Sequence, residues 1–164
     1  MTDISIPTIL DMCCGSRMFW FNKQDDRTTF CDIREEEHVL CDGRHLVISP
    51  DVMADFRSLP FEDESFAQVV FDPPHLVRAG ENSWMRKKYG CLNKDTWRDD
   101  IASGFKEAFR VLRPHGTLIF KWNETQIPVS KIIELTDQKP TIRQRVGKGD
   151  KTHWIIFLKS DGLR

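Results

Sequence analysis

Short apolar runs punctuated by turn residues recur along the chain. Five of them predict strands: Thr8 to Cys14, Thr28 to Arg34, Asp51 to Phe56, Phe66 to Phe71 and Thr117 to Trp122. Between the fourth and the fifth the period changes. Ile101, Phe105, Ala108, Phe109 and Leu112 recur at spacings of three and four, which puts them on one face of a helix. Arg113-Pro114-His115-Gly116 follows as a stop signal. A second helix is predicted from Pro128, burying Val129, Ile132, Ile133 and Leu135. Thr141 to Arg145 and His153 to Leu158 flank Gly147-Lys148-Gly149-Asp150 and predict an antiparallel hairpin at the end of the sheet. Asp42-Gly43, between Val39-Leu40-Cys41 and His45-Leu46-Val47-Ile48, predicts a smaller hairpin where a crossover helix would be usual.

Strands alternating with helices imply an α/β domain of three layers around a mostly parallel sheet, with the antiparallel hairpin at its C-terminal side. At 164 residues the chain suits one domain spanning 1–164, long enough to bury roughly two thirds of its unfolded surface. Hydrophobic residues make up 40% and charged residues 30%, a globular composition, and no apolar run approaches the length of a membrane span. No membrane association is expected. Met1-Thr2-Asp3-Ile4-Ser5 has neither the basic start nor the apolar core of a signal peptide, so the five cysteines are expected as free thiols in the cytoplasm. With 24 Lys+Arg against 25 Asp+Glu the formal charge is −1, which argues against coating nucleic acid by bulk electrostatics. Any such contact would be local.

In an open α/β sheet, ligands bind beyond the carboxyl ends of the strands. Three strand ends carry chemistry here. Leu10-Asp11-Met12-Cys13-Cys14-Gly15-Ser16 runs from an apolar strand into a carboxylate and a glycine, with no G-x-G-x-x-G fingerprint. Phe30-Cys31-Asp32-Ile33 places a second acid about twenty residues on, the spacing at which such folds hold a ribose through its two hydroxyls. The most specific of the three is Val69-Val70-Phe71-Asp72-Pro73-Pro74-His75. Two prolines donate no backbone hydrogen bonds, so the Asp72 carboxylate and the Asp72 and Pro73 carbonyls form a group of acceptors suited to an amino group.

Asp72-Pro73-Pro74-His75 resembles the Asp/Asn-Pro-Pro-aromatic motif of class I S-adenosylmethionine-dependent amino-methyltransferases, among them small phage- or prophage-type enzymes. Other segments match in order along nearly the whole chain. Asp11 to Gly15 is similar to the cofactor motif after the first strand, and Asp32 to the ribose acid. Ala54-Asp55-Phe56-Arg57-Ser58-Leu59-Pro60-Phe61, with Asp63, Ser65 and Phe66, is similar to the third-strand segment whose acid faces the adenine, and Phe109 to Leu118 to the helix-to-strand signature of the superfamily. The resemblance implies a Rossmann-like methyltransferase fold with S-adenosyl-L-methionine as cofactor. It implies cofactor contacts from Asp11, Cys13, Gly15, Asp32, Ile33, Asp55 and Phe56, and a catalytic group of Asp72, Pro73, Pro74 and His75, with His75 stacking on the substrate. The chain departs from the family in its single-glycine loop and in having His75 where Tyr or Phe is usual.

After the motif, Arg78, Trp84, Arg86, Lys87, Lys88 and Tyr89 interleave basic and aromatic side chains, as a single-stranded or flipped-base contact requires; Arg78 and Trp84 are the candidate substrate contacts. The expected activity is methylation of an exocyclic amine of a base in DNA or RNA. Two other readings remain: transfer to a protein amide or small-molecule amine, and a cofactor-binding module without catalysis. A near-neutral single domain implies that a recognition partner or a second copy supplies any extended specificity. Cys31, His38, Cys41 and His45 match no metal-binding spacing, and no metal is expected.

Overall fold

The computed structural model describes residues 8–161. Its elements are β1 Ile9–Asp11, β2 Thr28–Asp32, β3 Glu36–Val39, β4 His45–Ile48, β5 Val52–Met53, β6 Phe66–Phe71, α1 Trp84–Tyr89, α2 Trp97–Val111, β7 Leu112–Asn123, α3 Val129–Ile133, β8 Ile142–Arg145 and β9 Thr152–Leu158. Seven strands form one sheet in the order β5-β2-β1-β6-β7-β9-β8. The first five of that order run parallel, whereas β9 is antiparallel to both β7 and β8. The α/β class, the mostly parallel sheet and its C-terminal hairpin follow the expectation. Strand order reverses between β1 and β6, which opens the crevice where such sheets take ligands.

Alternating side chains give the sheet two different faces. On one, Leu10, Val69, Leu118 and Phe157 form a cross-strand row of fully buried residues. Phe71, Phe120 and Ile155 make the next row on the same side. α2 covers this face, burying Ile101, Phe105, Ala108 and Val111, and the Phe105 ring lies 4.8 Å from Phe120 and 5.6 Å from Phe71. Each such buried ring contributes about 2–3 kcal/mol through the area removed from water. Val129 and Ile132 of α3 join the same core, and the Trp122 indole N–H donates to the Ile127 carbonyl at 2.9 Å.

The other face carries the row Phe30, Asp11, Val70, Ile119, Ile156 and Ile142. Its β2–β1 end is covered by the crossing from β1 to β2, residues 12–27, which contains turns and no helix. Trp20 meets Phe30 edge-on at 5.0 Å, and the Arg17 guanidinium sits 3.8 Å from the same ring's centre. Cover thins toward β8, where Ile142 is 58% exposed on the last strand of the sheet.

Several boundaries differ from those the pattern predicts. β1 stops at Asp11 and β5 has two residues, because Cys13-Cys14-Gly15 and Ala54 onward turn away from the ladder. Leu112 starts β7 rather than ending α2: Pro114 disfavours helical backbone at Arg113, so the chain leaves the helix early. The extra residues bulge out, with pairing passing from Phe66–Leu112 to Gln68–Thr117 and His115 at φ 63°. In the small hairpin the first arm is Glu36–Val39, and Leu40 and Cys41 belong to the turn. α1 was not predicted, since it buries none of its residues and so shows no apolar period. Among the described residues no helix is long and apolar enough to cross a membrane.

α2 reaches β6 closely because residue 104 is glycine. A Cβ there would lie 2.8 Å from Phe56 Cδ2 and 2.9 Å from Phe71 Cε1. Gly104→Ala is expected to lower stability by about 1–2 kcal/mol in urea unfolding, overpacking outweighing the better helix propensity.

Candidate active site

The parallel ladders determine what meets at the carboxyl edge. They pair Asp11 with Phe30 and with Val70, and Phe71 with Phe120. Followed one and two residues further, they bring Asp32, Cys13, Asp72 and Lys121 into a single row, with Trp154 of β9 opposite Lys121. Side chains of one row share a face, so acids remote in sequence become neighbours.

A cavity of about 250 Å³ opens at this edge. Cys13, Gly15, Asp32, Ile33, Asp55, Phe56, Asp72, Pro73, Pro74 and His75 all line it. Gly15, at φ 49°, turns its N–H onto Asp32 Oδ2 at 2.9 Å, which ties the first loop to the second strand end. Asp32 Oδ1 accepts from the Arg34 backbone N–H at 3.0 Å and faces its Nε at 3.4 Å, and Arg34 Nη1 donates to the Lys87 carbonyl at 2.9 Å. Arg34 therefore joins the second strand end to α1. Ile33 is 60% exposed at the cavity lip, an apolar side chain open to a flat ligand. Asp55 is held below the usual carboxylate range by hydrogen bonds from Arg57, whose Nη2 lies 2.6 Å away and whose Nη1 reaches Asp100 at 3.2 Å.

Three sequence-predicted residues do not line the cavity. Asp11 lies behind it, with no exposed surface. Its Oδ2 accepts from the Trp20 indole N–H at 2.8 Å and its Oδ1 from the Cys13 backbone N–H at 3.2 Å. Arg78 is exposed, its backbone clamped by the Gln126 side chain, which accepts from the residue 77 and 78 N–H groups and donates to the Arg78 carbonyl. Trp84 stands at the outer end of α1, 48% exposed, one turn before Lys88. From α1 it is Lys88 and Tyr89 that reach the cavity.

Burial raises two acids of this edge, Asp11 and Asp72. It pushes Asp11 up to about 7 against the Trp20 hydrogen bond, with the Asp72 and Asp32 charges adding to the rise. It pushes Asp72 up to about 6, opposed by the Lys121 ammonium 3.4 Å from Oδ2. Burial and Lys121 together lower His75 to about 4, so its imidazole is neutral at pH 7. The His75 ring centre lies 5.3 Å from Tyr89 and 6.4 Å from Trp122.

No protein-family model and no curated protein matches the sequence. Solved structures match it in shape. A Pyrococcus horikoshii protein superposes with a TM-score of 0.60 at 16% identity, over 93% of this chain and 81% of its own. A SAM-dependent methyltransferase of Methanosarcina mazei gives 0.55 at 13%, over 93% and 92%. The 1,6-didemethyltoxoflavin-N1-methyltransferase of Burkholderia thailandensis, with bound 1,6-didemethyltoxoflavin and S-adenosylhomocysteine, gives 0.54 at 14%, over 93% and 71%. The chain has the fold of S-adenosylmethionine-dependent methyltransferases.

Within this methyltransferase fold, the residues that sequence alone did not single out are Trp20, Arg34 and Lys121. A charge inside the apolar run Leu118-Ile119-Phe120-Lys121-Trp122 was the available signal for the last. The fold brings Trp20 onto Asp11 and Arg34 onto the Lys87 carbonyl.

An acid whose pKa is higher in the folded protein than in the unfolded chain binds its proton more tightly when folded, so stability falls as pH rises between the two values. For Asp11 that window runs from about 4 to about 7. Asp11→Asn removes the titration. The stability difference between variant and wild type is expected to move in the variant's favour across this window, by up to about 4 kcal/mol, in urea unfolding at pH 4 and pH 8.

Proposed function

We propose that this protein is an S-adenosylmethionine-dependent N-methyltransferase acting on the exocyclic amino group of a base in DNA or RNA. The observation that carries this reading is one cavity lined at once by the Gly15 loop, Asp32 and Ile33 and by Asp72-Pro73-Pro74-His75. The donor set suits the cofactor. Asp32 offers acceptors for ribose hydroxyls, Ile33 an apolar surface for the adenine, and acids raised by burial gain from a cationic ligand.

When bound, the cofactor supplies an electrophilic methyl group on a positively charged sulfur. The protein's part is to orient the nucleophile and exclude water. An exocyclic amine is a weak nucleophile because its lone pair is delocalised into the ring. Asp72, ionised at neutral pH, accepts an N–H of that amine and favours the pyramidal nitrogen whose lone pair attacks. Once the new N–C bond forms, the nitrogen is positive and releases one proton, for which Asp72 is the adjacent acceptor. Pro73 and Pro74 bring no competing backbone donor. His75, neutral and flanked by Tyr89, offers a flat face to the target ring.

The nucleic-acid assignment is supported by the cavity's surroundings. Arg86, Lys87 and Lys88 cluster on α1 beside the exposed Trp84. The β8–β9 turn lies at the same edge, since the Lys151 carbonyl accepts from the Glu124 N–H at 2.9 Å just past the end of β7, and it adds Lys148 and Lys151.

Tritium from labelled cofactor is expected to enter DNA or RNA. Label confined to protein or to small heterocyclic amines moves the activity to those acceptors, and tight S-adenosylhomocysteine binding without transfer to any pool leaves a binding module. Asp72→Ala, which removes the side-chain acceptor, is expected to lower transfer by about 100-fold or more while leaving S-adenosylhomocysteine affinity nearly unchanged in calorimetry. Asp32→Ala is expected to weaken that affinity by about 10–100-fold through lost charge-assisted hydrogen bonds.

A further inference from the structure

Lys121 stands in the site without touching the cavity. Its ammonium lies 3.4 Å from Asp72 Oδ2 and over two aromatic faces, 5.2 Å from the centre of Phe19 and 5.5 Å from that of Trp154. The two rings meet edge to face at 5.3 Å. Trp154 is held opposite Lys121 by strand pairing, and Phe19 belongs to the same loop as Trp20, which is tied to Asp11. The side chain is 21% exposed, so the ammonium is confined on one side by rings that favour a cation and on the other by the carboxylate. The other titratable groups around Asp72 are Asp11 and Cys13 at the end of β1, Asp32 of β2 and His75. Lys121 is the cation placed against it.

We propose that Lys121 is a positioning residue that keeps Asp72 an ionised acceptor aimed at the cavity, and that this pairing restricts the site to uncharged amino groups, aryl amines or carboxamides, rather than alkylammonium ions. The proposal rests on the amino-methyltransferase reading above. Its physical basis is charge balance. An unpaired Asp72 would be a strong subsite for an ammonium group, which has no lone pair with which to attack a methyl carbon. Paired with Lys121, Asp72 retains free lone pairs for the N–H of a neutral amine, whereas an ammonium would face a second fixed cation behind the acceptor. Caging between two rings keeps the lysine from swinging out to solvent.

The test reads Asp72 itself. Protein labelled with 13C at the aspartate side-chain carboxyl, with the Asp72 signal assigned by its loss in Asp72→Asn, is titrated as wild type, Lys121→Met, Lys121→Arg and Phe19→Leu. In Lys121→Met the Asp72 midpoint is expected to rise by about one unit or more, in Lys121→Arg to stay close to wild type, and in Phe19→Leu to rise by a smaller amount. An unmoved midpoint in a natively folded Lys121→Met overturns the proposal, as does an equal rise in Lys121→Arg. Should Lys121→Met fail to fold, Phe19→Leu carries the test, and an unmoved midpoint there overturns it. Label from tritiated cofactor is expected to be absent from poly-L-lysine, and its entry overturns the selectivity. Failure of wild type to bind S-adenosylhomocysteine counts against the methyltransferase reading alone, because the Asp72 titration remains readable without it.

Discussion

Everything at the working edge depends on β1, three residues paired in parallel on both sides. Its register against β2 puts Cys13 level with Asp32, and its register against β6 puts Cys13 level with Asp72. Slipping either ladder by one residue would turn a whole row of side chains to the opposite face. So short a strand is secured by what covers it. Trp20 lies on Phe30 and hydrogen-bonds Asp11, so one side chain covers the sheet and satisfies the most deeply buried acid. The crossing from β1 to β2 thus does by aromatic contact what a packed helix would otherwise do.

The same edge concentrates negative charge. Asp11, Asp32 and Asp72 lie on three adjacent strands, and among the described residues Arg34 and Lys121 are the cations that pair with them. The two cations have different reach. Arg34 binds Asp32 and the α1 backbone together, so the second strand end and the basic helix share a fastening. Lys121 binds Asp72 alone, from behind the cavity. Burial raises Asp11 and Asp72, and positive charge brought beside them favours their ionised forms.

Much of this was legible in the chain because it is local. The apolar runs of β6 and β7, the period of α2, the glycine-rich turn between β8 and β9 and the Pro-Pro step after Asp72 all act over a few residues. What the pattern did not disclose depends on pairs far apart. Lys121 and Asp72 become neighbours only through the β6–β7 register. Asp11 reads in sequence as a strand-end acid facing a ligand, and nothing local shows that the Trp20 indole closes over it. α1 has no hydrophobic signature because it has no buried face, and in the β1–β2 crossing turns stand where the alternation of strands and helices implies a helix.

Among the described residues β8 is the last strand of the sheet, exposed along all four of its residues and without a neighbouring strand on one side. A further strand, including β8 of another molecule, finds a template there, and half-exposed Ile142 beside it makes adhesion more favourable. Arg143 and Arg145 alternate along that edge, so two such strands brought together bring like charges with them. Their repulsion is screened over about 10 Å at 0.1 M salt and less as salt rises. Association of two copies through this strand is therefore opposed by Arg143 and Arg145 at low ionic strength, and the opposition weakens as ionic strength increases.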